Sequence, residues 1–281
     1  MEKINVGFLH PGDMGISLAV SAQNTGCSVM WVSEGRSLST RSRAEKYNLI
    51  EVKSIHEMGD NCSIILSVCP PRAAMEVGKL VIDSTFKGVF VEANAISPKR
   101  THEIYKLMDQ AGVKYVDAGI IGGPAWEKNS TFLYLSGIEA DEVAKCFEAG
   151  PLVTEVLGKE VGKASALKMC YAAKTKGTMA LLCSIIAASE ALGVWKDLEL
   201  QWSREEPEFV NKTLSDMHKV TAKAWRFSGE MEEIASTLDQ AGLPNGFHMA
   251  AAEIYERMKY FKGLNKTPEK NEIIKALIRT P

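Results

Sequence analysis

The first 160 residues alternate between short apolar runs and stretches with a helical or polar pattern. The apolar runs are rich in Val, Ile and Leu, which is typical of parallel strands buried on both faces. Strands that alternate with helices predict an α/β fold with a doubly wound, mostly parallel sheet. The predicted strands span residues 4–9, 28–32, 62–68, 80–83, 89–93, 113–116 and 131–136, and the helical segments span 16–25, 36–48, 99–111 and 139–148.

The pattern changes near residue 160, after which nearly every segment has helical spacing. Residues 161–194 contain no proline and are rich in good helix formers, so they predict one long helix. Its second half is almost wholly apolar and is expected to form the core of a helical domain. We therefore predict a doubly wound domain over 1–160 and an all-helical domain over 161–281, joined by this long interdomain helix. The further predicted helices span 206–224, 229–240, 246–264 and 268–279, with a break at Gly229.

The composition argues against several classes of protein. Hydrophobic residues make up 46% and charged residues 24% of the 281, and the net charge is −2, so nothing indicates a nucleic-acid or anionic-membrane partner. The apolar run 177–189 is too short to span a bilayer, and a strand pattern from residue 4 leaves no room for a signal peptide. The six cysteines lack metal-ligand spacing and lie mostly in apolar runs, which predicts free thiols, no metal site and a cytoplasmic protein.

A glycine-rich turn follows the first predicted strand. At such a turn a pyrophosphate can approach the backbone N–H groups of a helix N-terminus, so the turn predicts a dinucleotide site. The spacing departs from Gly-x-Gly-x-x-Gly, because His10 stands where the first glycine is expected. The alternative is an ordinary strand-to-helix turn with a packing glycine. The candidate cofactor-binding residues here are Gly7, His10, Pro11, Gly12, Asp13 and Met14, and Gly15 completes the turn.

The end of the second predicted strand indicates which nicotinamide cofactor is bound. An acidic side chain there suits the ribose 2′-hydroxyl of NAD, whereas arginine and serine suit the 2′-phosphate of NADP. Arginines at positions 36, 41 and 43 stand among hydroxyl-bearing residues and favour NADP. Glu34 could instead bind the ribose of NAD, and the segment could also be a solvated basic helix. The candidate residues are Ser33, Glu34, Arg36, Ser37 and Arg41, with NADP as the predicted cofactor and NAD as the alternative.

Four segments resemble those of one enzyme family. They are Gly7-Phe-Leu-His-Pro-Gly-Asp-Met-Gly15, Glu92-Ala-Asn-Ala-Ile-Ser-Pro98, Asp117-Ala-Gly-Ile-Ile-Gly-Gly-Pro124 and Gly162-Lys-Ala-Ser-Ala-Leu-Lys168. The third is similar to the family's Asp-Ala-x-x-Ser-Gly-Gly and the fourth to its Gly-x-Gly-x-x-x-Lys. On these motifs the chain resembles the β-hydroxyacid dehydrogenase superfamily, which includes 6-phosphogluconate and 3-hydroxyisobutyrate dehydrogenases. Within it, the chain looks like a short branch with a phosphogluconate-dehydrogenase-like C-terminal domain.

The resemblance implies a Rossmann-type N-terminal domain and a catalytic lysine at position 168. A lysine can act as general acid or base when burial or a nearby cation such as Lys174 lowers its pKa, whereas a charged ammonium would polarise a carbonyl oxygen. Most helical lysines are solvated, so this assignment depends on the motif. The resemblance also implies that Val68, Cys69, Pro70 and Asn94 contact the cofactor. Ser97, Ile121, Gly122 and Gly123 are the candidates at the substrate, although turning from strand to helix is an equally good role for the serine and the glycines.

Two departures from the family pattern concern the substrate. Ala172 stands where the family has an asparagine one turn after the lysine, and Ile121 replaces the serine of the substrate loop. Both changes remove polar contacts to a small hydroxy acid. Tyr171 and Thr175, at i+3 and i+7 from the lysine, are expected near the same helix face and could substitute. His248 could line the same cleft.

The sequence thus predicts an NADP-preferring oxidoreductase that transfers a hydride between the cofactor and a small hydroxy acid or its oxo form, with Lys168 as general acid/base. The first alternative is an imine reductase acting on a C=N bond, which the missing asparagine favours. The second is a sensor or scaffold that binds NADP(H) without turnover. A small molecule is the expected partner, and the apolar half of the long helix predicts a homodimer.

Overall fold

The computed structural model describes residues 3–264 and 266–278. The chain divides into two compact units, Met1–Met169 and Cys170–Pro281. The first unit holds a sheet flanked by helices and the second is helical, so the predicted fold class is confirmed. A long helix passes from the one unit to the other. The functional division at residue 160 stays a prediction.

The sheet of the first unit is built from eight described strands. They are β1 (Asn5–Phe8), β2 (Ser28–Val32), β3 (Ile50–Val52), β4 (Ile64–Ser67), β5 (Val89–Glu92), β6 (Lys114–Gly122), β7 (Thr131–Ser136) and β8 (Val153–Val156). Their order is β3-β2-β1-β4-β5-β6-β7-β8; all neighbours pair in parallel except β6 and β7, which are antiparallel. The order reverses between β1 and β4, and doubly wound sheets bind ligands beyond the carboxyl ends of the strands at such a point.

Helices cover both faces of this sheet and bury two apolar cores. They are α1 (Asp13–Asn24), α2 (Leu38–Lys46), α3 (Ile55–Asn61), α4 (Ala74–Asp83), α5 (Pro98–Gln110) and α6 (Ala140–Lys145). One core contains Leu18 of α1 and Val143 of α6, and the other contains Met58 of α3, Val77 of α4 and Ile104 of α5. Because both faces are covered, the strands carry the continuous apolar runs seen in the sequence.

The predicted strand at 80–83 is wrong, because these residues form the last part of α4. Ala74, Val77, Gly78 and Val81 are buried along one side of this helix, with the spacing of an amphipathic helix rather than a strand. The short elements β3, α3 and β8 were absent from the sequence prediction. Most residues of β3 and β8 are exposed or half-buried, so they leave little apolar pattern to detect.

The described part of the second unit is helical. Its elements are α7 (Lys163–Ala172), which begins in the first unit, a π-helical segment (Ala173–Gly177), α8 (Thr178–Ala191), α9 (Trp195–Glu205), α10 (Phe209–Thr221), α11 (Ala224–Gln240), α12 (Gly246–Arg257) and α13 (Lys270–Leu277). Helices α11 and α12 pack together, with the rings of Phe227 and Tyr255 5.3 Å apart. Met179, Cys183 and Ile186 of α8 are buried, in agreement with the expected core role of that half of the long helix.

Three details of the helical prediction need correction. The long helix is not regular throughout, since Ala173–Gly177 is π-helical. The predicted break at Gly229 is wrong, because α11 runs through this buried glycine. Helix α9 was not predicted, although Gly193, with φ +72°, ends α8 as expected of a C-terminal glycine. The last predicted helix corresponds to α13, and its predicted end at Arg279 lies outside the described residues.

Candidate active site

The loop between β1 and α1 depends on one closely packed glycine. A Cβ atom at position 15 would lie 2.2 Å from the carbonyl oxygen of His10, so only a glycine lets the loop fold back on the first turn of α1. The N–H of Gly12 donates to the same oxygen at 2.8 Å. Burial, and to a lesser extent the charge of Arg36, lowers the pKa of His10 to about 4, so its imidazole is neutral. Within the loop Pro11 is buried, Met14 is half-buried and Asp13 is exposed.

Gly12 is held differently from the other glycines of this region. It has φ −70°, and no atom lies within 4 Å of the position its Cβ would take, so neither its backbone conformation nor its packing requires a glycine. A side chain there would instead obstruct a ligand approaching the first N–H groups of α1, where such folds hold a pyrophosphate. The loop therefore fits a dinucleotide. Gly7, by contrast, lies inside β1 and makes room for the side chain of Met58.

Two of the three arginines after β2 are held by protein groups. Arg41 donates to the carbonyl oxygen of Ser33 at 2.8 Å and pairs with Glu51 at 3.2 Å. Arg43 pairs with Asp13 at 2.7 Å and so braces the glycine loop from α2. Both guanidinium groups therefore already have protein partners and are less available to bind a phosphate.

Arg36 has a different environment. Its Nε is buried and has no hydrogen-bond partner among the residues that the structure describes. Burial lowers the pKa of its guanidinium, and the negative charge of Glu34 opposes this shift. Ser37 caps α2 by accepting the N–H of Thr40 at 3.3 Å. A depression of about 410 Å³, within the size range of ligand pockets, is lined by Val32, Glu34, Arg36, Ile55, His56, Leu80, Asp83 and Ser84.

Asn94 ties together the loops that follow β4 and β5. Its side-chain oxygen accepts the backbone N–H of Cys69, and its amide nitrogen donates to the hydroxyl of Ser67 at 3.1 Å. Burial raises the pKa of Cys69 to about 12, so this thiol stays protonated. Val68 is half-buried and Pro70 is exposed in the same loop. The structure thus brings the predicted cofactor residues Val68, Cys69, Pro70 and Asn94 together at the carboxyl edge of the sheet.

Asp117, on β6, caps the start of α7 from a distance in the sequence. Its fully buried carboxylate accepts the N–H of Gly162 and of Ser165, each at 3.0 Å, and the Ser165 hydroxyl at 2.5 Å. The hydroxyl of Ser136 donates to it at 3.0 Å and itself accepts the N–H of Ala164. The N–H groups of a first helical turn have no acceptor inside the helix, and this carboxylate is the acceptor that they need. Burial raises the pKa of Asp117, but its partners all donate, so we assign it the ionised form.

Glu92 lies directly opposite Asp117 on β5 and is equally buried. Its Oε1 accepts the N–H of Asn94 at 3.0 Å, whereas its Oε2 has no hydrogen-bond partner within the described ranges. Burial raises the pKa of Glu92 well above its usual value, and the charge of Asp117 raises it further. The pair therefore carries one charge, on Asp117, and Glu92 is neutral.

Strand β6 also fixes the position of Lys168. A Cβ atom at Gly119 would lie 2.7 Å from the carbonyl oxygen of Ala164 and 3.0 Å from the Cβ of Lys168, so the glycine lets α7 pack directly on the strand. The Nζ of Lys168 donates to the carbonyl oxygen of Ile120 at 2.5 Å. Because the Asp117 cap, the Gly119 contact and the Ile120 acceptor belong to one strand, β6 holds the ammonium at the carboxyl end of the sheet.

The remaining predicted substrate residues of the first unit lie near the end of β6 or at the start of α5. Ile121 is buried at the end of the strand. Gly122 has φ +118°, and a Cβ there would lie 2.4 Å from the carbonyl oxygen of Ser130, so this position requires a glycine. Gly123 is exposed, with open space around it. Ser97 is buried and accepts an N–H of the first turn of α5, which makes it the N-cap of that helix.

Four residues of this arrangement carry no assignment from the sequence: Glu92, Asp117, Gly119 and Ser165. A signal existed for the two acids, since each interrupts an apolar strand run, as in Val89-Phe-Val-Glu92. Carboxyl groups are rarely fully buried unless they have partners, so an acid inside such a run indicates a buried hydrogen-bonded group. Gly119 and Ser165 gave no comparable signal, because their partners are distant in the sequence.

The first unit matches the model of a known family. Residues 5–159 match the NAD binding domain of 6-phosphogluconate dehydrogenase. The chain belongs to the β-hydroxyacid dehydrogenase superfamily. Residues 189–258 match a second family, described as a domain of unknown function (DUF1932). Membership of this superfamily of NAD(P)-dependent enzymes makes the protein an oxidoreductase with a nicotinamide cofactor.

Relatives of known sequence agree with superfamily membership. The chain is 30% identical over 209 residues to an uncharacterised 28.5 kDa protein of Methanothermus fervidus, covering 74% of this chain and 80% of that one. It is 25% identical over 194 residues to the mitochondrial 3-hydroxyisobutyrate dehydrogenase of Drosophila melanogaster, covering 68% of this chain. The match spans only 58% of the length of the Drosophila enzyme.

Solved structures of the superfamily share the fold. The conserved protein MTH1747 of unknown function, described as structurally similar to 3-hydroxyacid dehydrogenases, superposes with a TM-score of 0.67 at 27% identity, covering 92% of this chain and 98% of that one. The imine reductase of Myxococcus stipitatus, solved in complex with NADP+, gives a TM-score of 0.59 at 15% identity, covering 90% and 93%. At that identity the likeness concerns the fold alone.

Three of the predicted substrate residues, Tyr171, Thr175 and His248, lie in the second unit. Thr175 belongs to the π-helical segment and donates to the carbonyl oxygen of Tyr171 at 3.2 Å. The expected i+7 position of Thr175 assumes a regular α-helix, and a π turn contains more residues than an α turn, so that argument fails. Tyr171 is exposed. His248 is buried against Gly177, and burial lowers the pKa of its imidazole. Their contact with a substrate stays a prediction.

Metal clusters and membrane-spanning helices are both absent from residues 3–264 and 266–278. Within these ranges no group of three or more His, Cys, Asp or Glu side chains is placed to hold a metal ion. No helix of the same ranges combines the length and apolarity needed to cross a membrane. The six cysteines are free thiols; Cys170 is exposed, Cys69 is half-buried, and the others are buried.

Proposed function

We propose that the protein transfers a hydride between NADP(H) and a small substrate with a hydroxyl group, such as a hydroxy acid, or the corresponding oxo form. The observation that supports this most directly is the junction of β6 and α7. There a buried carboxylate, a glycine contact and a backbone carbonyl together hold the Lys168 ammonium at the carboxyl end of the sheet. An oxidoreductase of this superfamily needs a proton donor and acceptor beside its nicotinamide, and doubly wound sheets bind their cofactors at that end.

The residues of this chain would have separate roles at the cofactor and at the substrate. When bound, the nicotinamide supplies or accepts the hydride. Gly12 leaves space for the pyrophosphate at the N-terminus of α1, and Asn94 holds the two loops that border the cofactor. Lys168 gives a proton to the substrate oxygen during reduction and takes it back during oxidation. Asp117 is a positioning residue, since it acts on the substrate only through α7.

The preference for NADP rests on Arg36. Arg41 and Arg43 are engaged with Glu51 and Asp13, whereas the buried Nε of Arg36 has no partner among the described residues. An arginine at this position can bind the 2′-phosphate that distinguishes NADP from NAD. Arg36 is therefore the residue that we propose to select NADP, and Glu34 beside it would then play no part in binding the ribose.

Replacement of Lys168 tests the proposed chemistry. In Lys168→Met we expect kcat for the reduction of a carbonyl or imine substrate by NADPH to fall by about 10²- to 10⁴-fold, the usual contribution of a general acid. The affinity for NADPH, measured by NADPH fluorescence, should stay within about twofold of the wild-type value, since binding of the cofactor does not involve the proton that Lys168 transfers. Lys163→Met is the matched control: it changes an exposed lysine of the same helix and should leave both quantities unchanged.

Two results would contradict the proposal in different ways. A Lys168→Met variant that keeps the full rate would remove the lysine from the mechanism but leave the enzyme class intact. A wild-type protein that binds NADPH and yet reduces no member of a broad carbonyl and imine panel would favour the sensor or scaffold.

Replacement of Arg36 tests the cofactor preference. In Arg36→Ala we expect NADPH to bind about tenfold more weakly or worse, the cost of a lost hydrogen bond to a charged group, while NADH binding changes little. Arg41→Ala should have a smaller effect on the ratio, because its guanidinium already has protein partners. Tighter binding of NADH than of NADPH by the wild type would make the preference wrong.

A second candidate function is the reduction of a C=N bond. Two observations favour it: Ile121 and Ala172 both supply apolar side chains where the superfamily motif has a serine and an asparagine. An imine has no hydroxyl that needs a polar partner, so these changes weaken its binding less than they weaken the binding of a hydroxy acid. Turnover of cyclic imines without turnover of any hydroxy or oxo compound would establish this alternative.

The oligomeric state and the cellular location also remain proposals. We propose a homodimer because the second half of the long helix is apolar, and a cytoplasmic location because the six cysteines are free thiols. Light scattering on the purified protein would give the mass in solution, and a monomer at all concentrations would exclude the dimer.

A further inference from the structure

The face of β6 that meets α7 continues beyond the position of Lys168. Side chains alternate between the two faces of a strand, so Asp117, Gly119 and Ile121 point to the same side. That side is the one on which α7 packs, because Gly119 is in contact distance of the Lys168 Cβ. The lysine side chain extends past Gly119 to the carbonyl oxygen of Ile120, the residue before Ile121.

The neighbouring strand extends this surface. In the antiparallel register of β6 and β7, Gly119 is opposite Tyr134 and Ile121 is opposite Phe132. Directly opposed residues on one face lie about 4.5–5.5 Å apart at Cβ, so the side chains of Ile121 and Phe132 are neighbours, whereas Tyr134 is opposite a glycine that has no side chain. The rings of Phe132 and Tyr134 are stacked, with centroids 6.3 Å apart and planes inclined by 19°.

The alternate residues of both strands confirm the assignment of faces. Ala118 and Ile120 of β6 and Leu133 and Leu135 of β7 all belong to the apolar core on the opposite side of the sheet. Phe132 and Tyr134 are only half-buried, so part of each ring remains open to a ligand. We call Ile121, Phe132 and Tyr134 the apolar wall.

The chemistry of the apolar wall limits what can lie against it. Its three side chains offer carbon atoms, two aromatic faces and one phenol hydroxyl, and the ammonium of Lys168, on α7, donates to the carbonyl oxygen of Ile120. A carboxylate placed there would lose its hydration with little to replace it, whereas an aromatic or branched aliphatic group would gain contact area. The serine that the superfamily motif has at position 121 would have given a polar group a partner.

We infer that the reacting carbon of the substrate carries an apolar substituent, aromatic or branched aliphatic, which packs on Ile121, Phe132 and Tyr134. This inference rests on the proposed function and specifies its substrate class. Reduction adds a hydride to that carbon and a proton to its oxygen or nitrogen, while the nicotinamide is oxidised. The apolar wall selects among substrates by the substituent on that carbon and takes no part in the hydride or proton transfer.

Matched substrates isolate the substituent from the reaction. Acetophenone and pyruvate are both methyl ketones and differ in having a phenyl or a carboxylate group on the reacting carbon. 2-Phenyl-1-pyrroline and 1-pyrroline-2-carboxylate differ in the same way for an imine. The test compares kcat/KM within each pair, with NADPH in excess, for the wild-type holoenzyme.

We expect the phenyl compound to be preferred by about tenfold or more in whichever pair is turned over, a typical gain from a few apolar contacts in a pocket. In Ile121→Ser the preference should shrink by about tenfold, because the hydroxyl replaces apolar contact and can donate to the carboxylate. Ile138→Ser is the matched control, since it makes the same change at an exposed isoleucine of the first unit. If Ile121→Ser does not fold, as judged by its thermal transition, Ile121→Val should shrink the preference less but in the same direction.

The possible failures are distinguishable. Preference of the wild type for pyruvate or for 1-pyrroline-2-carboxylate would overturn the role of the apolar wall and leave the proposed oxidoreductase function standing. An unchanged preference in folded Ile121→Ser would overturn it as well. Failure of both pairs, in a protein that binds NADPH and reduces other carbonyl compounds with a polar substituent, would also overturn it. NADPH binding without reduction of any panel member would overturn the proposed function and this inference together.

Discussion

Glu92 and Asp117 are both carboxylic acids, both fully buried, and paired across neighbouring strands, yet they have opposite roles. Asp117 accepts four hydrogen bonds, three of them from the start of α7. Glu92 accepts one, from Asn94, and its second oxygen has no partner in the part of the chain that the structure describes. Burial raises the pKa of each; hydrogen bonds from Ser165, Ser136 and Gly162 oppose the rise at Asp117, whereas only Asn94 opposes it at Glu92 and the charge of Asp117 adds to it.

The difference shows that the partners of a buried acid, rather than its burial, set its charge and its function. The charge of Asp117 is matched by a helix N-terminus, where a negative group is favourable, and it orders the helix that carries Lys168. A neutral Glu92 next to it costs far less than a second buried charge would. The predictions below test this division of roles, in order of decreasing effect.

Removal of the Asp117 carboxylate should have the largest effect. In Asp117→Ala the N–H groups at the start of α7 and two hydroxyls lose their acceptor, and we expect a loss of about 4 kcal/mol in the free energy of unfolding, since each stranded buried donor costs about 1–3 kcal/mol before relaxation. Urea denaturation measures this. Asp117→Asn keeps the shape but offers one acceptor atom in place of two, so its loss should be intermediate. A loss under about 1 kcal/mol in the alanine variant would mean that the carboxylate is not the cap.

The pH dependence of stability should distinguish Glu92 from an ionised acid. Its pKa is raised in the folded protein, so the stability it contributes is complete below the pKa of the unfolded chain, about 4.3, and is lost as the pH rises towards the folded pKa. Glu92→Gln does not titrate. The stability of the wild type relative to this variant should therefore fall with rising pH, by at most about 1.4 kcal/mol per pH unit.

Urea midpoints of both proteins at pH 5 and pH 8 measure that difference. The titration of Asp117 is common to the two proteins and largely cancels in the comparison. A difference that stays constant between the two pH values would mean that Glu92 does not hold its proton, and the contrast with Asp117 would be wrong.

Removal of one hydroxyl from the cap should have the smallest effect. Ser165→Ala deletes the 2.5 Å hydrogen bond to Asp117 and the 2.8 Å one shared with the Thr101 hydroxyl but keeps the backbone N–H bond, so we expect a loss of about 2 kcal/mol by the same denaturation assay. Ser130→Ala, which removes an exposed hydroxyl bonded to the Glu127 carbonyl oxygen, should cost less than about 0.5 kcal/mol. Equal effects in the two variants would argue that the Ser165 hydroxyl is dispensable to the cap.

The fold was predictable because its signals are local. The apolar runs of β1, β2, β4 and β5 and the proline-free stretch after residue 160 each define an element from neighbouring residues alone. Where elements are short or exposed, as in β3 and β8, the same reasoning had too little apolar surface to use. The last apolar residues of α4 looked like a strand because a window of four residues cannot distinguish the two periods.

The site was predictable only in part, for a related reason. The glycine turn and the lysine motif are contiguous in the sequence, and both could be recognised there. The cap is not: Asp117 lies 45 residues from Gly162 and 48 from Ser165, so no spacing rule connects them. The π-helical segment was likewise unpredictable, since nothing in Ala173–Gly177 distinguishes a π turn from an α turn. The cluster of arginines after β2 predicted a phosphate-binding segment. Only the protein partners seen in the structure distinguish Arg36 from Arg41.

The two glycines of the cofactor loop would behave differently in a selection experiment. A library randomised at position 15 and selected only for soluble, folded protein should return glycine, because the carbonyl oxygen of His10 occupies the space of any side chain. At position 12 the same selection should return many residues, since the chain itself leaves that space open. Only a second selection, for retention on an immobilised nicotinamide dinucleotide, should restore glycine there. The residue selected at position 12 would thus depend on ligand binding, and the residue selected at position 15 on folding.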